Sequence, residues 1–352
     1  MIGSTSNKIG GFATISRLFD TTRVYGWQSA LLGAIFFIAL APSAAYATTC
    51  ALSIPSCGCT INSPGTYTLT GSSPMHSTGT CVDIAVSHVT LIGGPTIVGP
   101  GKTTPTFGVR VEPTANKVIL EGVVAESFGQ GVRVDGPNAS LLSVITAFNN
   151  KGVVLTGANA YLLVVESIQD NLVGIQVNAT ATDMVGVVVV AEDETGAGIK
   201  LAGANGAYFN EAVAAGCGTF GIWLQSASNN VFSGFESESN GVAGVYLGCN
   251  PAGPTGTACP VGVPSSNGNS FAGAVYGSTN SLVSNTGSPF NQGFGIAVGL
   301  GNLHNHFVTV TGAGNVNQDA LDENPNCGSN RWFADTFTKS SPAKNTTPLC
   351  LN

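Results

Sequence analysis

Charged side chains are scarce in this 352-residue chain, at 9% of the total, so their grouping is informative. Arg110 and Glu112 sit two residues apart, and Arg133 and Asp135 repeat that pair 23 residues later, with Asp83 upstream. Arginine grips a carboxylate in a planar fork, while neighbouring carboxylates serve as base, as acid or as calcium ligands. Arg110, Glu112, Arg133 and Asp135 are therefore candidate catalytic residues for an acidic or heavily hydroxylated sugar. The competing reading is an ion-pair ladder that relieves the repulsion of stacked arginines. A second group, Lys200, Trp223 and Tyr246, is spaced at the same 23 residues. With Asp83 it forms a candidate substrate-binding set, because the CH-rich face of a sugar packs on an aromatic ring. Alternatively, loops cover these rings.

Other candidates carry less. Glu126, Thr146, Glu166, Val190, Ala214 and Glu236 suggest a second outward column, with acidic corners at Glu192-Asp193-Glu194 and at Glu236 and Glu238. These carboxylates lack the glycine-rich acidic repeat of calcium-binding β-rolls and read as solvated corners. No cofactor is expected, calcium being the one ion the carboxylates could accept. His76, His88, His304 and His306 stand at no zinc spacing.

The positioning element is a repeated phrase. Gly-Val-Arg-Val begins at Gly108 and Gly131, and variants of it begin at Gly152, Gly174, Gly198, Gly221, Gly244 and Gly295. The steps are 23, 21, 22, 24, 23, 23 and 51 residues. A fixed period in the low twenties marks a solenoid. Within each phrase aliphatic residues alternate with a variable one, the period of a strand, and a second apolar segment follows. Between the two strands an asparagine recurs, at Asn116, Asn138, Asn159, Asn205, Asn230, Asn269, Asn305 and Asn330. Asparagine tolerates left-handed backbone and suits a tight corner. The expected fold is all-β, a right-handed parallel β-helix of about 22–23 residues per coil.

If the aliphatic pair of each phrase points inward, the residue between them points outward. Stacking then aligns Asp83, Arg110, Arg133, Val154, Gln176, Lys200, Trp223, Tyr246, Ala297 and Leu321. The 51-residue step implies one coil with two insertions, at 249–268 and 276–294.

Residues 1–47 read as a signal peptide: Lys8, Arg17 and Arg23 precede an apolar core at Ala30–Leu40, and Ala45-Tyr46-Ala47 offers a small-x-small cleavage site. Residues 48–352 form a single expected domain, with an N-terminal cap at 48–80, coils at 81–338 and a tail at 339–352. No membrane span is expected in the mature chain. Removing Lys8, Arg17, Arg23 and Asp20 from 12 basic and 19 acidic residues leaves 9 against 18, a net of −9. That excess disfavours nucleic acid as a partner. All nine cysteines lie beyond residue 47, which in an exported protein argues for disulfides. Bridges are expected among Cys50, Cys57, Cys59 and Cys81, between Cys249 and Cys259, and between Cys327 and Cys350, leaving Cys217 free.

The run Ser63-Pro-Gly-Thr-Tyr-Thr-Leu69, with Cys81-Val-Asp-Ile84 and His88-Val-Thr-Leu-Ile-Gly-Gly94, resembles the opening of secreted bacterial parallel β-helix proteins. The repeats are similar to those of the pectate-lyase-like superfamily, NosD-like members included. The ending Asn326-Cys-Gly-Ser-Asn-Arg-Trp-Phe333 is similar to the last coil of such proteins. The resemblance covers 60–338 and implies the fold, but the superfamily includes lyases, hydrolases, epimerases, adhesins and binding proteins. The Asn-Thr-Asp, Gly-His-Gly and Arg-Ile-Lys motifs of its polygalacturonases are missing. So are the Arg-x-Pro-x-x-Arg run of its pectate lyases and the Asp-Pro-His of its mannuronan epimerases, so no catalytic residue carries over. The leading expectation is an exported protein recognising a polysaccharide, acidic or neutral, on the outward phrase face without established catalysis. A carbohydrate-active enzyme and an adhesive surface protein are the alternatives, and the oligomeric state is left open.

Overall fold

The computed structural model describes residues 48–103, 105–276, 293–337 and 340–342. The expected leader, most of the second insertion (277–292) and the chain beyond residue 342 lie outside the described residues. The described chain is a parallel β-solenoid of about 11 turns with almost no helix. Its phrase strands stack into a 13-stranded sheet, and the strands that follow each phrase form a 20-stranded one. None of its helices is long and apolar enough to cross a membrane.

Register follows the phrase. Asp83, Arg110, Arg133, Val154, Gln176, Lys200, Trp223, Tyr246, Ala297 and Leu321 are successive strand partners. Their flanking residues, from Val109 and Val111 through Ile199 and Leu201 to Ile296 and Val298, are fully buried. On the second sheet the interior is filled by a run of stacked rings. Phe209, Phe232, Phe271, Phe307 and Trp332 follow one another with centroids 4.6, 5.1, 5.2 and 3.9 Å apart. Since Phe271 pairs with both Phe232 and Phe307, the residues between Leu247 and Ser270 are surplus to a single coil.

Two sequence expectations need correction. The asparagines do not form one ladder. Asn138 and Asn159 each donate a side-chain hydrogen bond to the preceding asparagine on the exposed side of the corner. Asn230, Asn269, Asn305 and Asn330 form a separate buried chain, with side-chain bonds of 3.0, 3.0 and 3.1 Å. The second outward column also mixes registers. Thr146 and Ala214 are fully buried; Glu166 pairs with Val190 as expected, but with Ile145 in place of Thr146, and Val190 pairs with Val213 in place of Ala214. Left-handed residues interrupt the alternation in some coils and not in others: Asn138 and Ser143, both with φ of 56°, flank Ser140–Leu142, whereas Tyr161–Ile168 runs without one.

The phrase glycines Gly131, Gly152, Gly174, Gly198 and Gly221 share a packing reason. At the corner before the phrase, Asn149, Asp170, Glu194, Cys217 and Asn240 occupy one interior column and are buried. A Cβ at Gly152 would come within 2.2 Å of the Asp170 carboxylate, and one at Gly174 within 2.6 Å of Glu194. Glycine leaves the room these polar side chains fill. They bridge coils by accepting backbone hydrogen bonds: Phe128 N–H donates to Asn149 Oδ1 at 2.8 Å, Asp170 N–H to Glu194 Oε2 at 2.5 Å, and Cys217 N–H to Asn240 Oδ1 at 3.0 Å.

Disulfides link Cys50 to Cys59, Cys57 to Cys81 and Cys249 to Cys259. Cys327 is disulfide-bonded, while Cys350 lies outside the described residues. Cys217 is free and buried, and burial raises its thiol well above the usual range.

Candidate functional site: the outward phrase face

The strands Phe107–Val111 and Gln130–Val134 bring together the charges expected at one end of the face. Arg110 Nη1 lies 2.7 Å from Glu112 Oε1, and its Nε lies 3.7 Å from Asp135 Oδ2. Arg133 Nε donates to both Asp135 oxygens, at 2.9 and 2.8 Å. Both guanidinium groups also lie over the Phe107 ring, 5.4 and 6.0 Å from its centroid. Asp83 begins the series. Burial and the nearby Glu112 carboxylate outweigh the attraction of Arg110 and raise its carboxyl to about 6. At this end the cations are paired internally, so little free positive charge is presented.

Farther along the same face the balance reverses. Lys151 opens the next strand, Lys151–Leu155, and pairs in register with Gln130 and Val173. Lys200 lies two coils on, in the column of Val154 and Gln176. Both lysines are half-buried, and neither is in an ion pair among the described residues. Each amine is held below its ordinary value, first by burial and then by positive neighbours: Arg133 for Lys151, and Lys151 for Lys200. Between them Gln176 donates to Asn178 Oδ1 at 2.6 Å, and Asn178 to Thr156 Oγ1 at 3.3 Å. The result is a polar floor with two under-compensated cations.

The aromatic pair lies elsewhere than an exposed platform would need. Trp223 is 8% exposed and Tyr246 3%, within a cluster outside the main core that includes Phe220 and Ala297. The first arm of the 249–268 insertion straps them down. Trp223 Nε1 donates to the Gly248 carbonyl at 2.7 Å, and the Tyr246 hydroxyl to the Gly253 carbonyl at 3.2 Å. The strap is anchored at Gly256, whose N–H donates to Glu323 Oε1 at 2.6 Å. Lys200 marks the boundary: its Nζ lies 3.8 Å from the Trp223 ring centroid, so it stands where the open face meets the strap.

The sequence reading thus assembled Asp83, Arg110, Glu112, Arg133, Asp135 and Lys200 on one face. It missed Lys151, which sits in a third outward column immediately before the phrase glycine, with Phe107 and Gln130. The alternation around the glycine hid that column, because the residues before and after it do not follow one period. The described residues contain no cluster of three or more potential metal ligands, and no calcium cradle is apparent among them.

No family model matches this chain, and no curated protein matches it. Solved structures do. The Dettilon tailspike protein (gp208) aligns with a TM-score of 0.54 at 14% identity, over 80% of this chain and 60% of that one. This chain therefore spans less than two thirds of that tailspike. Tailspike protein 2 of the Escherichia coli O157:H7 bacteriophage CAB120 gives 0.46 at 12% identity, over 81% and 41% of the two chains. The A-module of the Azotobacter vinelandii mannuronan C-5 epimerase AlgE4 gives 0.35 at 11% identity, over 81% and 85%. What this chain shares with the Dettilon tailspike at 14% identity is the architecture. The chain is a parallel β-helix.

Proposed function

We propose that this is an exported protein that binds an acidic polysaccharide along its outward phrase face, between the Arg110–Asp135 cluster and the strap. The observation that carries this reading is the Lys151–Lys200 pair, half-buried, mutually repelling and without a carboxylate partner. A uronate placed between them supplies the missing counter-charge, and the Gln176–Asn178–Thr156 floor offers donors and acceptors for sugar hydroxyls. Arg110 and Arg133 frame one end while remaining tied to their own carboxylates. Three structural disulfides fit an oxidising compartment. The tailspike likeness supports the scaffold and leaves the ligand to the site.

A second reading, a polysaccharide-processing enzyme, is favoured by Asp83. A carboxyl raised to about 6 beside Glu112 and Arg110 retains a proton in mild acid and could donate it. Polysaccharide arrays run beside an unsaturated-uronide absorbance assay and a reducing-end assay separate the readings. We expect retention of polyuronates without product. Product formation would install the enzymatic reading, and absence of uronate binding would remove the proposal.

A further inference from the structure

The second sheet presents a surface of opposite character. Tyr161, Val185 and Tyr208 are consecutive strand partners and are 38%, 36% and 39% exposed. Leu163 and Val164 extend the apolar area beside them. The fold does not require these side chains. The same strands fill the core with a different set, Leu162, Val165, Val189, Phe209 and Ala212. A contiguous apolar row left partly in solvent is a candidate binding surface.

The spacing of the row selects its ligand. Tyr161 and Tyr208 are two strand intervals apart, about 9.6 Å along the stack. In an extended β-linked polysaccharide successive rings alternate in orientation, so every second ring offers the same face. That repeat is about the separation of the two tyrosines, which leaves the intervening ring over Val185. Hydrogen-bonding groups stand beside the row: the Tyr208 hydroxyl lies 3.0 Å from Ser233 Oγ, and Asn210 is exposed.

The surrounding charge excludes the ligand of the other face. Glu166, Glu192 and Glu211 lie on these same strands, and Glu236 and Glu238 on the adjoining strand of the next coil; none of these strands contains a lysine or arginine. The carboxyls of Glu192 and Glu238 are raised by burial and then by neighbouring carboxylates, so this strip already resists its own negative charge. A polyuronate is repelled here and an uncharged chain is not. A second copy of this protein docked face to face would bring two acidic strips together.

We propose that Tyr161 and Tyr208, with Val185 between them, form a second glycan site for an uncharged, extended β-linked polysaccharide running along the solenoid axis. The site is independent of the phrase face and of its ligand. Affinity electrophoresis of the full chain in gels containing hydroxyethylcellulose tests it, with sedimentation run on the same samples. We expect the wild type to be retarded. Tyr161→Ala and Tyr208→Ala should each weaken binding about tenfold, as the loss of one ring contact. The double variant should migrate freely with an unchanged melting temperature, and Lys151→Ala/Lys200→Ala should still be retarded. An unretarded wild type would overturn the proposal, as would full retardation of the double tyrosine variant. A wild-type dimer that the tyrosine substitutions dissociate would reassign the row to self-association.

Discussion

Asp170 and Glu194 show how much a single column of side chains can govern. They stack in the corner beneath the phrase glycines, and burial raises both carboxyls, Asp170 to about 6 and Glu194 to about 9. For Glu194 the nearby Asp170 adds to the effect. A carboxyl whose folded-state value exceeds its unfolded one binds its proton more tightly when folded. Its contribution to stability is complete below about 4.5 and erodes as pH rises toward about 9. Glu194→Gln stays neutral throughout. We expect it to match the wild type near pH 5 and to exceed it by about 1–3 kcal/mol near pH 9, in denaturant titrations at both values. A wild type with equal stability at both pH values would mean that Glu194 is ionised in the fold. This column was invisible in the sequence because Asn, Asp, Glu and Cys alternate in it without a shared residue type. Only the glycines opposite them repeat. The outward column was legible for the converse reason: its aliphatic flanks are nearly invariant.

At the scale of an element, the strap decides what the phrase face can present. The register of Trp223 and Tyr246 could be read from the 23-residue step, but their exposure could not. Exposure depends on where a Pro- and Gly-rich insertion settles, and that insertion has no periodicity of its own. The structure shows it held by side-chain bonds from Trp223, Tyr246 and Glu323 and closed by Cys249–Cys259. Removing a buried ring that also donates a hydrogen bond combines a cavity with an unpaired carbonyl. Trp223→Ala should therefore lower stability by about 3–5 kcal/mol. It should also render the 249–268 segment sensitive to limited proteolysis while the coils stay intact. If Trp223→Ala melts like the wild type and resists cleavage, the ring is not what holds the strap.

For the molecule as a whole, fold and ligand separate cleanly in their legibility. The solenoid was readable because one phrase recurs along most of the chain, each copy repeating the same burial pattern. The proposed ligand site was readable only in part, since it rests on charges on different coils that fail to cancel. Lys151 and Lys200 are 49 residues apart in sequence yet only two coils apart. Around them the chain is acidic overall, with a formal net charge of −7. Long-range repulsion thus opposes the proposed polyanion, which the lysines would attract at short range, and salt screens the two over different distances. Calorimetric titration of oligogalacturonate into the wild type, Arg133→Ala and Lys151→Ala/Lys200→Ala, across a salt series, tests the central claim most directly. Wild-type affinity should rise to a maximum at moderate salt and then fall. The double lysine variant should lose at least about tenfold at that maximum while keeping its melting temperature. Arg133→Ala should cost mainly stability, by about 1 kcal/mol or less, because its guanidinium is already paired with Asp135. Undiminished uronate binding by a folded Lys151→Ala/Lys200→Ala variant would contradict the account.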